Sequence, residues 1–320
     1  MYEIIKRNQE ELKELKVRNK DLKVLSFSML SSLEQCLRYY KFNYIDRIGV
    51  EGDNVYTYLG SLAHLLIEKL YREEITNKEA IQKWLIKLNT MSYFFVDYSK
   101  AEKYEKQLEM KEKNRKYRNN YNLNMVRYFK SFKKLEYKDF LQEQRVFIKL
   151  EEIFNNPTFK DYVFNGIVDF IGLNDDGSID ILDYKTSTMY KGEKLELHSF
   201  QLILYAICLE NLGFKINRIG WNFLKYARKL KKFKNGNVRM TNVERRNLTY
   251  KDEFEDCIVE IEYNSLNKRK ALKFIFDNVK KMYMVEKNKH IDTNDFPCNY
   301  NEFFCKNLCG MYTVCSVSKG

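Results

Sequence analysis

Asp169, Asp183 and Lys185 lie in two apolar runs, Tyr162 to Leu173 and Ile179 to Lys185, separated by Asn174-Asp175-Asp176-Gly177-Ser178. A loop of that composition between apolar runs predicts an antiparallel hairpin. With Leu173 opposite Ile179 across the loop, Asp169 falls opposite Asp183. Facing side chains on a hairpin have Cβ atoms about 4.5 to 5.5 Å apart, so these carboxylates would repel each other without a cation between them. Hard oxygen ligands select Mg²⁺ or Mn²⁺. Lys185, two residues past Asp183, shares its strand face. Its ammonium can hold or help deprotonate an attacking water while the cation polarises a phosphate, which is the chemistry of phosphodiester hydrolysis. In isolation, the same Asp-x-Lys also fits a solvent-facing hairpin with a surface ion pair.

The surrounding elements must position this hairpin. From Tyr56 to Glu74, Leu59, Leu62, Ala63, Leu66 and Leu70 make the stripe of an amphipathic helix, with Gly60, His64 and Glu68 on a neighbouring stripe. Gln144 to Leu150 is a candidate strand with Glu143 just before it, a helix is expected over His198 to Asn211, and a strand around Ile219 to Tyr226. Strands mixed with helices point to an α/β sandwich. Residues 1–25 read as a charged, helical and peripheral lead-in, and 26–320 as one domain. Residues 76 to 140, rich in Lys, Glu, Asn and Tyr, read as a basic helical insertion.

Four short patterns occur in order along the chain: Gly60-Ser61-Leu62-Ala63-His64, Gly166-Ile167-Val168-Asp169, Asp183-Tyr184-Lys185-Thr186 and Gln201-Leu202-Ile203-Leu204-Tyr205. Each is weak alone, but four in order with a hairpin between the middle two are specific. The chain resembles the PD-(D/E)XK nucleases, in particular their RecB-like branch, over residues 26 to about 226 with the 76–140 region outside the resemblance. That resemblance implies a restriction-endonuclease-like fold, a central mixed β-sheet flanked by helices. It also implies that His64 is a further metal ligand through an imidazole nitrogen and that the Tyr184 carbonyl completes the protein's share of the shell. Gln201 and Tyr205, which share a helix face as i and i+4, would orient substrate and the catalytic Lys185. A buried core histidine and a polar helix edge are the plainer readings of these residues. Relatives often carry a glutamate near Glu143, which supports the match.

Cys305-x₃-Cys309-x₅-Cys315 near the C-terminus is dense enough to wrap one metal centre, but three thiolates leave a tetrahedral or cubane site one ligand short. Cys36 is the candidate fourth. Similar helicase-nuclease and CRISPR-adaptation domains hold a [4Fe-4S] cluster with a lone N-terminal cysteine and a C-terminal trio, stapling the ends of the domain. Ser26-Phe27-Ser28-Met29-Leu30 followed by Cys36-Leu37-Arg38-Tyr39-Tyr40 looks like the start of those domains. Here the first gap of the trio is three rather than two, and Cys298 stands seven residues earlier as an alternative ligand. Zinc and buried free thiols remain the competing readings, and Cys208 and Cys257 are expected in the core.

Composition agrees with an acidic partner. The net charge of +12 and pI near 9.1 suit nucleic acid, since each neutralised phosphate releases counterions, although a Lys- and Asn-rich composition also follows from an AT-rich genome. The 24 tyrosines, 22 phenylalanines and 2 tryptophans imply an aromatic core. No apolar run suits a signal peptide or a membrane span, and an odd count of 7 cysteines disfavours a disulfide framework, so an intracellular, cytoplasmic protein is expected. The resemblance implies a DNA nuclease acting on single strands or free ends in recombination, repair or CRISPR spacer capture, with a helicase or similar partner. A non-hydrolytic DNA-binding subunit and an RNA nuclease are the alternatives.

Overall fold

The structure, a computed structural model, describes residues 1–48, 55–90, 104–232, 236–311 and 314–316. In chain order these form α1 (Tyr2–Arg18), β1 (Lys23–Leu25), α2 (Phe27–Gln35), α3 (Leu37–Tyr40), α4 (Val55–Tyr71), α5 (Asn77–Asn89), α6 (Tyr104–Ser131) and β2 (Asp139–Lys149). There follow α7 (Leu150–Phe154), β3 (Tyr162–Leu173), β4 (Ile179–Lys185), α8 (Gly192–Asn211), β5 (Ile216–Lys232), β6 (Val238–Glu244), β7 (Glu255–Ile261), α9 (Ser265–Lys287) and α10 (Glu302–Asn307).

The strands make one mixed sheet of seven, with β3, β4 and β5 at its centre, β1 parallel to β3, and β4 parallel to β5. This is consistent with the restriction-endonuclease-like arrangement. The β3–β4 hairpin has the register read from the sequence, Leu173 facing Ile179 and Phe170 facing Leu182. Gly177 takes φ +81° in its turn, a left-handed conformation open to glycine at no steric cost. One edge of β3 pairs with β2 along nearly its whole length. The other edge is shared: β1 takes it up to Phe164 and β4 takes it from Phe170. Residues 165–169 therefore lack a strand neighbour on that edge, and the gap becomes the cleft.

Two apolar layers cover the sheet. On one face, α2, α8 and α9 bury Leu30, Leu202, Ile203 and Ile275 with Phe164, Ile181 and Trp221 of the strands. On the other, α4, α5 and α6 bury Leu66, Trp84, Met125 and Phe129 with Phe170 and Leu182. The helical character expected for residues 76–140 is present in α5 and α6, residues 91–103 lie outside the described residues, and β2 takes the segment from Asp139. These helices flank the sheet because Trp84 and the Tyr121, Met125, Tyr128 and Phe129 stripe pack with the buried stripe of α4 into one apolar layer.

Three boundaries differ from expectation. The strand expected from Gln144 begins at Asp139, so it contains Glu143; α8 starts at Gly192 rather than His198; and β5 runs well beyond Tyr226. The polar alternation of an edge strand hid the first, and a charged opening turn hid the second. The expected peripheral character of the N-terminal helix also fails. α1 buries Ile5 and Leu12, and Asn8 grips the backbone of Phe147 through two hydrogen bonds, accepting from its N–H at 3.0 Å and donating to its carbonyl at 3.1 Å.

Candidate active site

The cleft is built where β3 and β4 part. Past Phe170 and Leu182 the ladder between them stops, and the Tyr184 N–H donates instead to Asp169 Oδ2 at 2.8 Å. Asp169 and Asp183, the next positions along each strand, thus flank the fork with 8% and 2% of their surface exposed. α4 brings His64 over it. The imidazole Nε2 lies 2.9 Å from the Tyr184 carbonyl. A carbonyl only accepts, so Nε2 carries the hydrogen and Nδ1 is turned to the carboxylates, 3.5 Å from Asp169 Oδ2 and 3.7 Å from Glu143 Oε1. The Tyr184 carbonyl, expected to face a metal, thereby has His64 as its hydrogen-bond partner.

Glu143 enters by a backbone distortion. Its neighbours Gln142 and Gln144 pair with Phe170 and Val168, while Glu143 itself adopts φ +50° in the left-handed region, uncommon for a residue with a Cβ. Ligand atoms of His64, Glu143 and Asp169 all lie within 4.8 Å of one another, a spacing that one cation can span. In the sequence Glu143 had only a supporting role, since nothing in the residue type announces a positive φ.

Asp183 stands beside this trio, close enough to make the Asp169 carboxyl a weaker acid, and its direct contact is Lys185 Nζ, 2.6 Å from its Oδ2. That ion pair is the contact of an oxygen that is otherwise fully buried. Lys185 Nζ also reaches Gln201 Oε1 at 3.4 Å, and Gln201 Nε2 donates to the Tyr205 hydroxyl at 2.9 Å, so α8 holds the lysine through a relay. The Tyr205 ring sits directly on Gly166, where a Cβ would come within 2.1 Å of it. The glycine of one pattern therefore exists to admit the tyrosine of another.

The electrostatics separate this cluster from ordinary buried carboxylates. Asp180, on the same strand and equally buried, is saturated by Asn217, Asn174, Tyr137 and Arg218, and although burial opposes it, those groups hold its carboxyl below the usual range. Asp169 goes the other way: burial first and Asp183 second push its carboxyl up, against the opposing pull of His64 and Lys185. Burial would lower His64, but Asp169, Glu143 and Asp183 outweigh it and raise the imidazole to about 9. Lys185 is likewise raised against burial, by Asp183, Tyr190 and Asp169, so it stays an ammonium. A concentration of negative charge that only His64 and Lys185 offset fits a divalent cation, and the donor set is one that such ions accept.

A family model described as the PD-(D/E)XK nuclease superfamily matches residues 24–316. The chain belongs to that superfamily. Members of the PD-(D/E)XK superfamily are nucleases that typically use divalent metals, so nucleic acid is the implied substrate. No curated protein matches the chain. A solved structure titled "Crystal structure of SSO0001" is similar at 13% identity, covering 98% of this chain and 94% of that one with a TM-score of 0.32. So faint a likeness carries no argument. Among the described residues no helix is long and apolar enough to cross a membrane.

Away from this candidate cleft, five cysteines line one small pocket: Cys36 at the start of α3, Cys298, and Cys305, Cys309 and Cys315 around α10. Cys36 and Cys298 Sγ are 3.9 Å apart. Burial raises the Cys309 thiol to about 11, with Cys305, Cys36 and Cys315 adding to the effect. Arg38 and Tyr39 join the lining. The structure thus brings Cys36 to the C-terminal trio as the sequence suggested and adds Cys298 to them. Cys208 and Cys257 are buried in the core.

Proposed function

We propose that the chain is a Mg²⁺- or Mn²⁺-dependent deoxyribonuclease of the RecB-like branch, acting as an exonuclease on single strands or free ends. The observation that carries this reading is the convergence of His64, Glu143 and Asp169 at the gap in the sheet, with Asp183 and Lys185 alongside. Glu143, Asp169, Asp183 and His64 Nδ1 would hold the metal. When bound, a divalent ion polarises the scissile phosphate and makes water a stronger nucleophile.

The chain's own groups perform the rest. The hydrogen bond from His64 Nε2 to the Tyr184 carbonyl fixes the ring so that only Nδ1 faces the carboxylates. Lys185, kept protonated, donates to the attacking water or to a phosphate oxygen and offsets charge developing there, a role for an ammonium rather than for a base. Gln201 and Tyr205 keep the ammonium aimed into the cleft. The net charge of +12 favours the polyanion throughout.

The second part of the reading concerns the cysteines. Four of the five thiols would hold a [4Fe-4S] cluster, with Cys36, Cys305, Cys309 and Cys315 as the ligand set and Cys298 as the spare, tying the N-terminal segment to the C-terminus. In a tetrahedral zinc site thiolate sulfurs stand about 3.8 Å apart, given zinc–sulfur bonds of about 2.3 Å. The 3.9 Å between Cys36 and Cys298 Sγ matches that spacing, so zinc is the competing occupant and metal analysis separates the two. The resemblance to helicase-nuclease and CRISPR-adaptation domains supports a role in recombination, repair or CRISPR adaptation beside a helicase or a similar partner.

Cleavage of 5′- and 3′-labelled DNA with free and blocked ends in Mg²⁺ or Mn²⁺ tests the activity. Asp183→Ala and Lys185→Ala should each lower the rate by about 10²- to 10⁴-fold while DNA binding persists. Wild-type protein that cuts neither single- nor double-stranded DNA would make it a binding subunit, and cleavage confined to RNA would change the substrate. Iron and zinc analysis after anaerobic purification tests the cluster; a colourless, stable, metal-free protein would rule it out.

A further inference from the structure

Lys225 is a cation that the catalytic site does not use. It lies on β5 two residues past Phe223, the residue that pairs with Lys185, within the stretch where the pairing of β5 with β7 shifts register. Its side chain is partly buried, with Nζ 5.2 Å above the ring of Tyr121 on α6. Tyr121 interacts in turn with the side chain of Thr186, the residue after Lys185, and the Thr186 hydroxyl lies against Gly60 of α4. Tyr121 thus links Lys225 to Thr186, the residue that follows Lys185 at the end of β4.

Among the described residues the compensation of this charge is indirect. Among the described residues no acidic group lies within ion-pair distance of Lys225, and Glu244, the acid that acts on it from β6, is engaged by Arg246 and Asn124. Burial pushes the ammonium down to about 8. A ring face is a weak partner for a desolvated ammonium, and a buried cation without a counter-charge is costly. The missing partner is an anion, and the position beside Lys185 and Thr186 specifies its source.

We propose that Lys225, seated on Tyr121 beside Thr186, is a phosphate-binding subsite that holds the nucleic-acid backbone next to the scissile phosphate. The subsite rests on the nuclease reading for the identity of the strand. Its chemistry is that of a single-stranded phosphodiester: Lys225 supplies the charge, and the Thr186 hydroxyl is the adjacent neutral donor.

Binding of a fluorescent single-stranded oligothymidylate to the full chain, measured without divalent metal across a salt series, separates this from cleavage. For wild type, log K falls with log salt; Lys225→Gln should make that slope shallower by about 0.7, the share of one phosphate contact on a single strand, and weaken binding at low salt. Lys225→Arg should keep the slope. Lys225→Met serves as the folding control, and since it removes an uncompensated charge, its Tm without DNA should match or exceed wild type. An unchanged slope in Lys225→Gln, or a Lys225→Met protein that no longer melts cooperatively, overturns the subsite. Wild type that cleaves DNA with a slope indifferent to Lys225 overturns the subsite alone. A Lys225-dependent slope in a protein that cleaves nothing overturns the nuclease reading alone.

Discussion

Gly166→Ala is the sharpest test of how the cleft is assembled. An added Cβ would lie 2.1 Å from Tyr205 Cε1, 2.7 Å from Cδ1 and 3.1 Å from Cζ. Carbon atoms pack best at about 3.5 to 4.0 Å, so the ring must retreat by well over 1 Å. Tyr205 is buried at the interface of α8 with the sheet and cannot swing into solvent. Overpacking of this kind costs about 1 to 3 kcal/mol, occasionally more, and the depth of the overlap puts the substitution near 3 kcal/mol. With roughly 2.1 cal/mol/K of unfolding entropy per residue over 320 residues, Tm should fall by about 4 to 5 °C. Because Tyr205 holds Gln201 and Gln201 holds Lys185, nuclease activity should fall further than the unfolded fraction explains. Denaturation of wild type, Gly166→Ala, Tyr205→Ala and the double variant isolates the clash. Once Tyr205 is truncated, Gly166→Ala should cost almost nothing, giving a coupling of about 2 to 3 kcal/mol. Penalties that add within about 0.5 kcal/mol, or a Gly166→Ala protein as stable as wild type, would refute the reasoning.

Glu143→Gln should weaken Mn²⁺ binding by at least about 10-fold, read by the EPR signal of free Mn²⁺, whereas unchanged affinity would remove Glu143 from the metal shell. Asn8→Ala, which strands the N–H and carbonyl of Phe147, should cost about 1 to 3 kcal/mol in urea denaturation, and a neutral result would make α1 dispensable. His198 stacks on Tyr190 at 4.2 Å between centroids, and burial first, then Lys185 and Lys194, lower it from 6.5 to about 4. A depressed histidine is neutral in the fold, so its contribution to stability is complete above pH 6.5 and lost as pH falls from 6.5 toward 4. His198→Phe, which keeps the stack, should flatten the loss of Tm across that window; an unchanged pH profile would contradict the assignment.

The catalytic hairpin was legible because both of its determinants are local. A turn rich in Asn, Asp and Gly sets the loop, Leu173 opposite Ile179 sets the register, and the ladder runs to Phe170 and Leu182, so that Asp169 and Asp183 are the next residues on the two sides of the fork. The amphipathic stripe that carries His64 and the helix that carries Gln201 and Tyr205 were readable for the same reason, since a helix repeats within a few residues. Glu143 was not readable as a site residue. Its carboxylate is aimed by a left-handed backbone step within β2, a strand whose far side α1 grips through Asn8 and Gln9, more than a hundred residues away in the chain. The inclusion of Cys298 was unresolved in sequence because spacing counts residues and says nothing of where the chain returns.

By itself, then, the sequence determined the local elements, the facing carboxylates and the chemistry those residue types permit. Tertiary structure decided which nitrogen of His64 faces the acids, why Gly166 must be glycine, how Lys185 is held, and that Lys225 is seated on Tyr121 with no ion-paired acid among the described residues. The physical reason is range. Hydrogen-bond periodicity and turn chemistry act between neighbours in the chain, whereas desolvation, charge compensation and steric exclusion act between whatever groups the packed sheet and helices bring together.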